Sequence, residues 1–300
     1  MKDKDVNNLV KPYCVRDGEG FRLKDFDPAD TGELSSDEKP ETREWLQHGI
    51  ETLSQLQVKL YAQDRWALLV IIQAMDAAGK DSTIKHVMSG INPQGCDVHS
   101  FKAPSSEELD HDYLWRAARV LPERGRIGIF NRSYYEEVLT VRVRAELLAN
   151  EKIPESRVTK RIWKERYKDI NNFERYLTRN GIMIRKFFLH ISPEEQKKRL
   201  LERLDDPEKN WKFSMADVRE REYWKDYMAA YEDMIRHTSH KRAPWYVVPA
   251  DHKWFSRIIV AAGIIEALKA MDLSFPELDP ARRKELHEVR KAFTSGDKKK

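Results

Sequence analysis

The segment of residues 73–83, in which small residues precede Lys80, has the residue types needed to hold a phosphate group. In such loops, backbone N–H groups at the start of a helix converge on the anion, and a lysine reaches over it. The segment departs from the pattern G-x-x-x-x-G-K-[ST], since Ala74 replaces the first glycine and Asp81 stands where Ser or Thr would bind magnesium. An ordinary strand-to-helix turn with an exposed lysine is the alternative. The candidate phosphate-binding residues are Ala77, Ala78, Gly79, Lys80, Asp81 and Ser82.

Asp76 lies inside this loop, where an acidic side chain repels a phosphate unless a cation lies between them. Hard cations bind carboxylate and phosphate oxygens together. Asp76 is therefore predicted to be a ligand of Mg²⁺, or of Mn²⁺ in its place.

A second segment, residues 128–137, ends another short apolar run at the position where P-loop enzymes carry their acidic Walker B residue. That position holds Asn131, a weaker metal ligand, and Glu137 follows one to two helical turns later as a second candidate metal ligand. Arg132 has the planar, multi-donor cation that suits a transferring phosphoryl group. By itself the segment also fits a helix cap with a salt-bridged arginine. The predicted catalytic residues are Asp76, Lys80 and Arg132.

Short apolar runs alternate with helical patterns, which predicts an α/β fold with a five-stranded, mainly parallel sheet and helices on both faces. The two candidate segments follow strands and should meet at the carboxyl edge of that sheet. The predicted strands are residues 66–72, 98–101, 126–130, 182–191 and 245–248. The predicted helices are residues 42–65, 80–90, 106–120, 133–149, 157–179, 193–204 and 215–237.

The polar residues 1–40 predict an extended N-terminal arm, and residues 41–275 a single domain. A short charged loop joins the paired helices within residues 193–237, an arrangement suited to closing over a site. Residues 276–300 are charged and predict a solvated helical tail.

The composition excludes several classes of protein. A net charge of +4, from 54 basic and 50 acidic residues, argues against a generic polyanion binder, so no nucleic-acid partner is expected. The two cysteines, Cys14 and Cys96, lack metal or redox spacing. The N-terminus has no apolar stretch of a signal peptide, and no apolar run approaches the roughly 18 residues that span a bilayer. We therefore predict a cytoplasmic protein without a membrane partner.

Five segments, in their order along the chain, resemble the polyphosphate kinase 2 family. They are residues 75–81, 92–95 with 100–104, 130–135, 206–212 and 243–251, and they extend the resemblance from about residue 30 to about residue 272. The resemblance implies a three-layer P-loop kinase fold like that of thymidylate kinase, with Mg²⁺-dependent phosphoryl transfer between polyphosphate and a nucleotide. Asp76 matches the family's P-loop aspartate and Lys80 its phosphate-binding lysine.

The resemblance also implies substrates and further site residues. Many members carry an aspartate at the position of Asn131, and residues 131–137 are similar to the class that accepts both nucleoside mono- and diphosphates. AMP, ADP, GMP and GDP are the expected nucleotides, and a homo-oligomer is expected. In the family the loop within residues 193–237 is a lid, which implies a polyphosphate contact for Lys209, Lys212, Arg199 and Arg203. The candidate nucleotide-binding residues are Phe101, Asn131, Arg132 and Glu137.

A polyphosphate chain carries about one negative charge per unit, so basic side chains should lead to the P-loop. The candidates for this track are Lys85, Lys102, Arg116 and Arg119. Two other functions stay open from the sequence: an ATP-dependent nucleotide kinase on the same fold, and a non-catalytic binder of polyphosphate or nucleic acid.

Overall fold

In the computed structural model, which describes residues 3–34, 39–208 and 210–296, six strands form one sheet. Neighbouring strands lie in the order β1-β6-β5-β2-β4-β3, and every pair is parallel except β1 with β6. The strands are β1 Cys14–Val15, β2 Ala67–Ala74, β3 Cys96–Ser100, β4 Ile127–Asn131, β5 Ile182–His190 and β6 Trp245–Pro249. The five predicted strands are confirmed, but five was the wrong total. The strand that was not predicted, β1, has two residues, too few to give a periodic pattern.

Helices cover both faces of the sheet. Phe187 and Phe188 are neighbours on β5 and therefore point to opposite faces. An added Cβ at Gly263 of α11 would lie 2.9 Å from Phe187 Cζ, whereas the Phe188 ring stacks on Tyr231 of α10 with centroids 4.2 Å apart. The α-helices are α1 Asp3–Val10, α2 Lys39–Gln63, α3 Lys80–Val87, α4 Ser106–Leu109, α5 Trp115–Ala118, α6 Thr140–Val143, α7 Ile162–Arg179, α8 Pro193–Asp205, α9 Met215–Glu220, α10 Trp224–Thr238, α11 Lys253–Lys269 and α12 Pro280–Gly296.

Strand β2 lies in the interior of the sheet and is buried along its whole length. Such a strand reads as a continuous apolar run because helices cover both of its sides. Its neighbour β4 is in register with it, so that Ile72 is opposite Asn131. The loops that follow β2 and β4 therefore start side by side at the carboxyl edge.

Three predicted helices are broken in the structure. Residues 215–237 form α9, a 3₁₀ helix at Arg221–Tyr223, and α10. Residues 106–120 form α4 and α5, two short helices. Residues 133–149 form a 3₁₀ helix at Tyr134–Val138, then α6, then a 3₁₀ helix at Ala145–Glu151. The backbone leaves the helical region at Leu139, with φ −112° and ψ −89°, and at Arg144, with φ −108° and ψ 67°. A run rich in β-branched residues has little intrinsic tendency to continue the helix across these points.

The N-terminal arm is not extended throughout, contrary to the prediction. It begins with α1, whose Val6 and Val10 are buried four residues apart on one helical face. Helix α1 packs on α11, and Tyr13 is buried against Phe255 with ring centroids 5.7 Å apart. Burial of these apolar side chains gives the arm a packed conformation. Within the described ranges, no helix is long and apolar enough to cross a membrane.

A fully buried ion pair joins β5 to α7. Lys186 of β5 and Glu174 of α7 are both 0% exposed, with Nζ 2.7 Å from Oε2. Lys186 Nζ also donates to Tyr135 Oη at 3.0 Å and to the Thr238 carbonyl at 2.7 Å. Three acceptors thus satisfy the three ammonium hydrogens.

Candidate active site

The phosphate loop joins β2 to α3 and has a strained backbone. Ala77 has φ 62° and Gly79 has φ 100°, both in the left-handed region that disfavours a side chain. A left-handed alanine is uncommon and marks a backbone that its surroundings hold in place. Of the predicted phosphate-binding residues, Ala77, Ala78 and Gly79 form the loop, and α3 starts at Lys80.

Lys80 folds back over the loop that precedes it. Its Nζ donates to the carbonyls of Ala74 at 2.8 Å and Met75 at 3.2 Å. Burial, with a smaller contribution from the Arg132 cation, lowers the pKa of the Lys80 ammonium to about 8. The ammonium therefore lies within the loop, where an incoming phosphate would compete with these two carbonyls for it.

Arg132 connects the two segments that the sequence singled out. Its Nη2 donates to Asp76 Oδ1 at 2.7 Å, and its Nη1 lies 3.5 Å from Glu136 Oε2. The Arg132 backbone is also left-handed, with φ 64°, and its N–H donates to the Ile72 carbonyl of β2 at 3.0 Å. Glu136 and then Asp76 raise the pKa of this guanidinium above its ordinary value. The structure thus brings the predicted trio of Asp76, Lys80 and Arg132 together.

Asn131 acts as a hydrogen-bond donor at the end of β4. Its Nδ2 donates to Asp81 Oδ1 at 2.6 Å, which ties β4 to the first turn of α3. Ser82, one residue on, donates from Oγ to the Gly79 carbonyl at 3.0 Å. An aspartate at position 131 could not make the bond to Asp81, because two carboxylates would then face each other.

The geometry disfavours Glu137 as the partner of Asp76 in a metal site. Its Oε2 accepts from Arg166 Nη1 at 3.2 Å, and Arg166 also pairs with Glu151. Burial, followed by the neighbouring Glu151 carboxylate, raises the pKa of Glu137 to about 8. Its neighbour Glu136 is the carboxylate that shares Arg132 with Asp76. The four-residue spacing from Arg132 to Glu136 was a signal that sequence reasoning missed.

A metal ion would need ligands beyond the protein at this site. Among the residues that the structure describes, no three or more His, Cys, Asp or Glu side chains form a ready metal site. Mg²⁺ commonly takes one or two carboxylates and completes its shell with substrate phosphates and water. Asp76, whose side chain is 32% exposed, and the exposed Asp81 offer hard oxygen ligands beside the loop. These residues fit a magnesium ion bound together with a phosphate chain.

Helix α8 contacts the backbone carbonyls of the phosphate loop through Arg199. This corrects the expectation that Arg199 contacts polyphosphate. The Arg199 side chain is 4% exposed, and its guanidinium donates to the backbone carbonyls of Ala78 at 3.0 Å and Ala250 at 2.6 Å. Its donors are used within the fold, so a polyphosphate contact does not suit it. Arg203 lies one turn later on α8 and is half-buried. Lys209 and the side chain of Lys212 lie outside the described part of the chain.

A cavity of about 560 Å³ opens beside Arg132 and Glu136, and its walls include Phe101, Glu137 and Glu151. This volume lies in the range of small-molecule pockets. The Phe101 ring packs edge-on against Phe130, with centroids 4.9 Å apart, and the Arg116 guanidinium lies 5.1 Å from its centroid. The predicted nucleotide-binding residues Phe101, Arg132 and Glu137 therefore share one cavity.

The predicted basic track is not continuous in the structure. Arg116 pairs with Glu108 at 3.2 Å, and Arg119 lies over the Trp115 ring, 4.5 Å from its centroid. Lys102 borders the cavity, whereas Lys85 is exposed on α3. Lys102 and Arg116 therefore line the cavity rather than a path along the surface.

Sequence and structure comparisons agree on the relatives of this chain. A family model described as Polyphosphate kinase 2 (PPK2) matches residues 34–276. The ADP-polyphosphate phosphotransferase of Rhodopseudomonas palustris is 53% identical over 277 residues, covering 90% of this chain and 96% of the relative. The AMP/ADP-polyphosphate phosphotransferase of Meiothermus ruber is 44% identical over 275 residues, covering 92% of this chain and 98% of the relative.

The crystal structure of polyphosphate kinase 2 from Arthrobacter aurescens TC1 matches with a TM-score of 0.83 at 40% identity. The match covers 92% of this chain and 95% of that one. It confirms the predicted α/β P-loop kinase fold, with six strands in place of five. Given a family model that matches most of the chain and relatives aligned along nearly their whole length, this protein belongs to the polyphosphate kinase 2 family.

Proposed function

We propose that this protein transfers phosphoryl groups between inorganic polyphosphate and nucleotides, reversibly. The observation that carries the proposal is the Asp76–Arg132 ion pair, which lies between the phosphate loop and a nucleotide-sized cavity. A phosphate donor on the loop and a nucleotide in the cavity would meet at Arg132. The names of the relatives from R. palustris and M. ruber describe the same reaction class in those proteins.

The side chains at this point supply charge and alignment. Phosphoryl transfer depends mainly on positioning and on neutralising the equatorial oxygens of the moving group. The Lys80 ammonium exchanges its two carbonyl partners for phosphate oxygens, and Arg132 stabilises charge on the transferred group. No general base is required, because the attacking nucleotide phosphate is already anionic.

Phosphotransferases of this family generally depend on a divalent metal ion. Asp76 would hold Mg²⁺ or Mn²⁺ against the phosphate oxygens, and the exposed Asp81 in the first turn of α3 is a second carboxylate beside the loop. The ion would supply Lewis-acid neutralisation of phosphate charge. Glu137 is left out of this set because Arg166 engages it.

The proposed nucleotides are AMP and ADP, with GMP and GDP as further acceptors. Asn131 places a neutral side chain where an acid would add negative charge beside the transferring phosphates. Lower local negative charge eases the approach of an acceptor that carries an additional phosphate. A homo-oligomeric assembly and a cytoplasmic location are also part of the proposal.

The deciding experiment supplies polyphosphate and Mg²⁺ with AMP, ADP, GMP or GDP in turn, with ATP absent at the start. We expect AMP to yield ADP and then ATP. Lys80→Met should lower the rate by at least about 100-fold, because the positive charge that faces the phosphates is lost. An enzyme that phosphorylates AMP only when ATP is supplied would instead be an ATP-dependent nucleotide kinase. No Mg²⁺-dependent turnover with any donor would identify a binding protein.

A further inference from the structure

Two buried side chains of α8 hold three successive carbonyl groups of the phosphate loop. Gln196 Nε2 donates to the Asp76 carbonyl at 2.9 Å. Arg199 Nη1 donates to the carbonyls of Ala77 at 3.4 Å and Ala78 at 3.0 Å. Gln196 is 1% exposed and Arg199 is 5% exposed, so neither contact competes with bulk water.

These contacts fix the direction of the neighbouring N–H groups. In a planar trans peptide, the carbonyl and the N–H of the next residue point in opposite directions. Because α8 holds the carbonyls of residues 76, 77 and 78, the N–H groups of Ala77, Ala78 and Gly79 point away from α8. The Ala78 N–H has a turn partner in the Met75 carbonyl at 3.3 Å, a long contact that a phosphate could replace.

We propose that Gln196 and Arg199 are positioning residues that orient the peptide groups of the phosphate loop for polyphosphate. The inference rests on the proposed function for the identity of the anion. The loop needs such support because Ala77 is held in the left-handed region, and without partners its peptide groups could rotate. Arg199 thus acts on the substrate through the backbone rather than by touching it.

Each positioning residue is itself held by other contacts. Arg199 Nε donates to Glu195 Oε1 at 2.8 Å, and Nη2 donates to the carbonyls of Ala250 at 2.6 Å and Asp251 at 2.9 Å. These bonds anchor the guanidinium between β6 and the loop. Its planar fork serves several carbonyls at once, which a lysine ammonium cannot do in the same geometry.

Arg221, in the 3₁₀ turn after α9, fixes the orientation of the Gln196 amide. Arg221 Nη1 donates to Gln196 Oε1 at 2.6 Å and to the Pro193 carbonyl at 3.1 Å. Because Oε1 is the acceptor from Arg221, Nε2 is the atom that faces Asp76. The segment after α9 therefore reaches the phosphate loop through one intermediate side chain.

The test compares Gln196→Glu and Arg199→Lys with the control Lys198→Met on the same helix. Gln196→Glu keeps the shape of the side chain and its Arg221 contact but removes the donor to Asp76. Lys198 is exposed and pairs only loosely with Glu195, at 3.5 Å. For each protein, the melting temperature, polyphosphate binding by calorimetry, and kcat and KM for polyphosphate are measured.

We expect Gln196→Glu and Arg199→Lys to lose about 10²-fold in kcat/KM, the cost of losing one preorganised backbone donor. The loss should appear both in polyphosphate affinity and in kcat, each measured below the variant's melting transition. Lys198→Met should match wild type. Variants that melt earlier but keep wild-type kcat and polyphosphate affinity when folded would show a merely structural role and overturn the proposal.

The same measurements separate this inference from the proposed function. A wild type that binds polyphosphate but transfers no phosphate would refute the function, and the binding comparison would still decide the positioning role. Equal affinities across the variants would then reject it. A wild type that binds no polyphosphate would refute both.

Discussion

Lys80 gives the sharpest prediction, because its pKa lies close to neutral pH. The pKa of its ammonium is lowered from 10.5 to about 8, so about nine tenths of the protein carries the charge at pH 7 and about one tenth at pH 9. Phosphate binding needs the charged form. We expect kcat/KM to fall about tenfold between those pH values, and then about tenfold for each further pH unit.

As the pH rises, kcat should begin to fall at a higher pH than kcat/KM does. The kcat/KM profile reports the free enzyme, whereas kcat reports the complex, in which bound phosphate favours the charged amine. The assay measures initial rates from about pH 7 to about pH 10 at fixed ionic strength. Lys80→Arg is the control, because a guanidinium stays protonated across this range.

A second group titrates in the same window, so the control decides the assignment. Glu137 borders the cavity and has a pKa of about 8. The charges that act on Lys80 itself come from Arg132, Asp76, Glu136 and Asp81. If Lys80→Arg keeps the fall above about pH 8, that fall belongs to another group and the reasoning about Lys80 is refuted. A flat wild-type profile would refute it as well.

The same pKa predicts the stability of the unliganded protein. Below about pH 8 the folded protein carries the full cost of the buried ammonium, and this cost is relieved as the pH rises towards 10.5. The shift from 10.5 to about 8 corresponds to about 3 kcal/mol, the net disadvantage of the charged form in the folded protein. Lys80→Met should therefore melt no lower than wild type at pH 7 while losing activity. A large drop in melting temperature would contradict the cost assigned to the ammonium.

Three further predictions concern the metal ion, the acceptor and the donor. Asp76→Asn should raise the Mg²⁺ concentration for half-maximal rate by at least about tenfold, and an unmoved metal titration would show that Asp76 holds no metal. Asn131→Asp removes the 2.6 Å bond to Asp81 and adds a carboxylate, so we expect tighter Mg²⁺ binding and a changed ratio of AMP to ADP turnover. Unchanged Mg²⁺ curves and rate ratios would argue against that role. Polyphosphate affinity should fall more steeply with salt than nucleotide affinity, because the chain makes more phosphate contacts. Equal salt slopes would contradict a multi-phosphate site.

Local patterns predicted the sheet and the position of the loop. Strand β2 is an unbroken apolar run, and the small residues before Lys80 follow it directly, so the strand-to-helix junction is visible from sequence. Two strands in register then place Asn131 beside the loop. These features depend on neighbours along the chain or on the general geometry of parallel sheets.

The roles of individual charged side chains were harder to predict. The choice between Glu136 and Glu137 depends on which side of a 3₁₀ turn each faces, and the sequence predicted an α-helix there. Arg199 resembles any exposed cation on a charged helix, yet it donates to a carbonyl 122 residues earlier in the chain. Main-chain acceptors carry no residue-type signature, so such a contact leaves no pattern in the sequence.

The buried pair of Lys186 and Glu174 has a consequence for how this sequence can evolve. Loss of either partner leaves an uncompensated charge at a site with 0% exposure, at a cost of about 3–5 kcal/mol. That cost is a large share of the roughly 5–15 kcal/mol that holds a typical domain folded. Replacing both with apolar residues would leave the buried hydroxyls of Tyr134 and Tyr135 and the Thr238 carbonyl without these partners, each at a cost of about 1–3 kcal/mol. Substitution of the pair is therefore tied to substitution of the groups that it serves, and the whole cluster must change together.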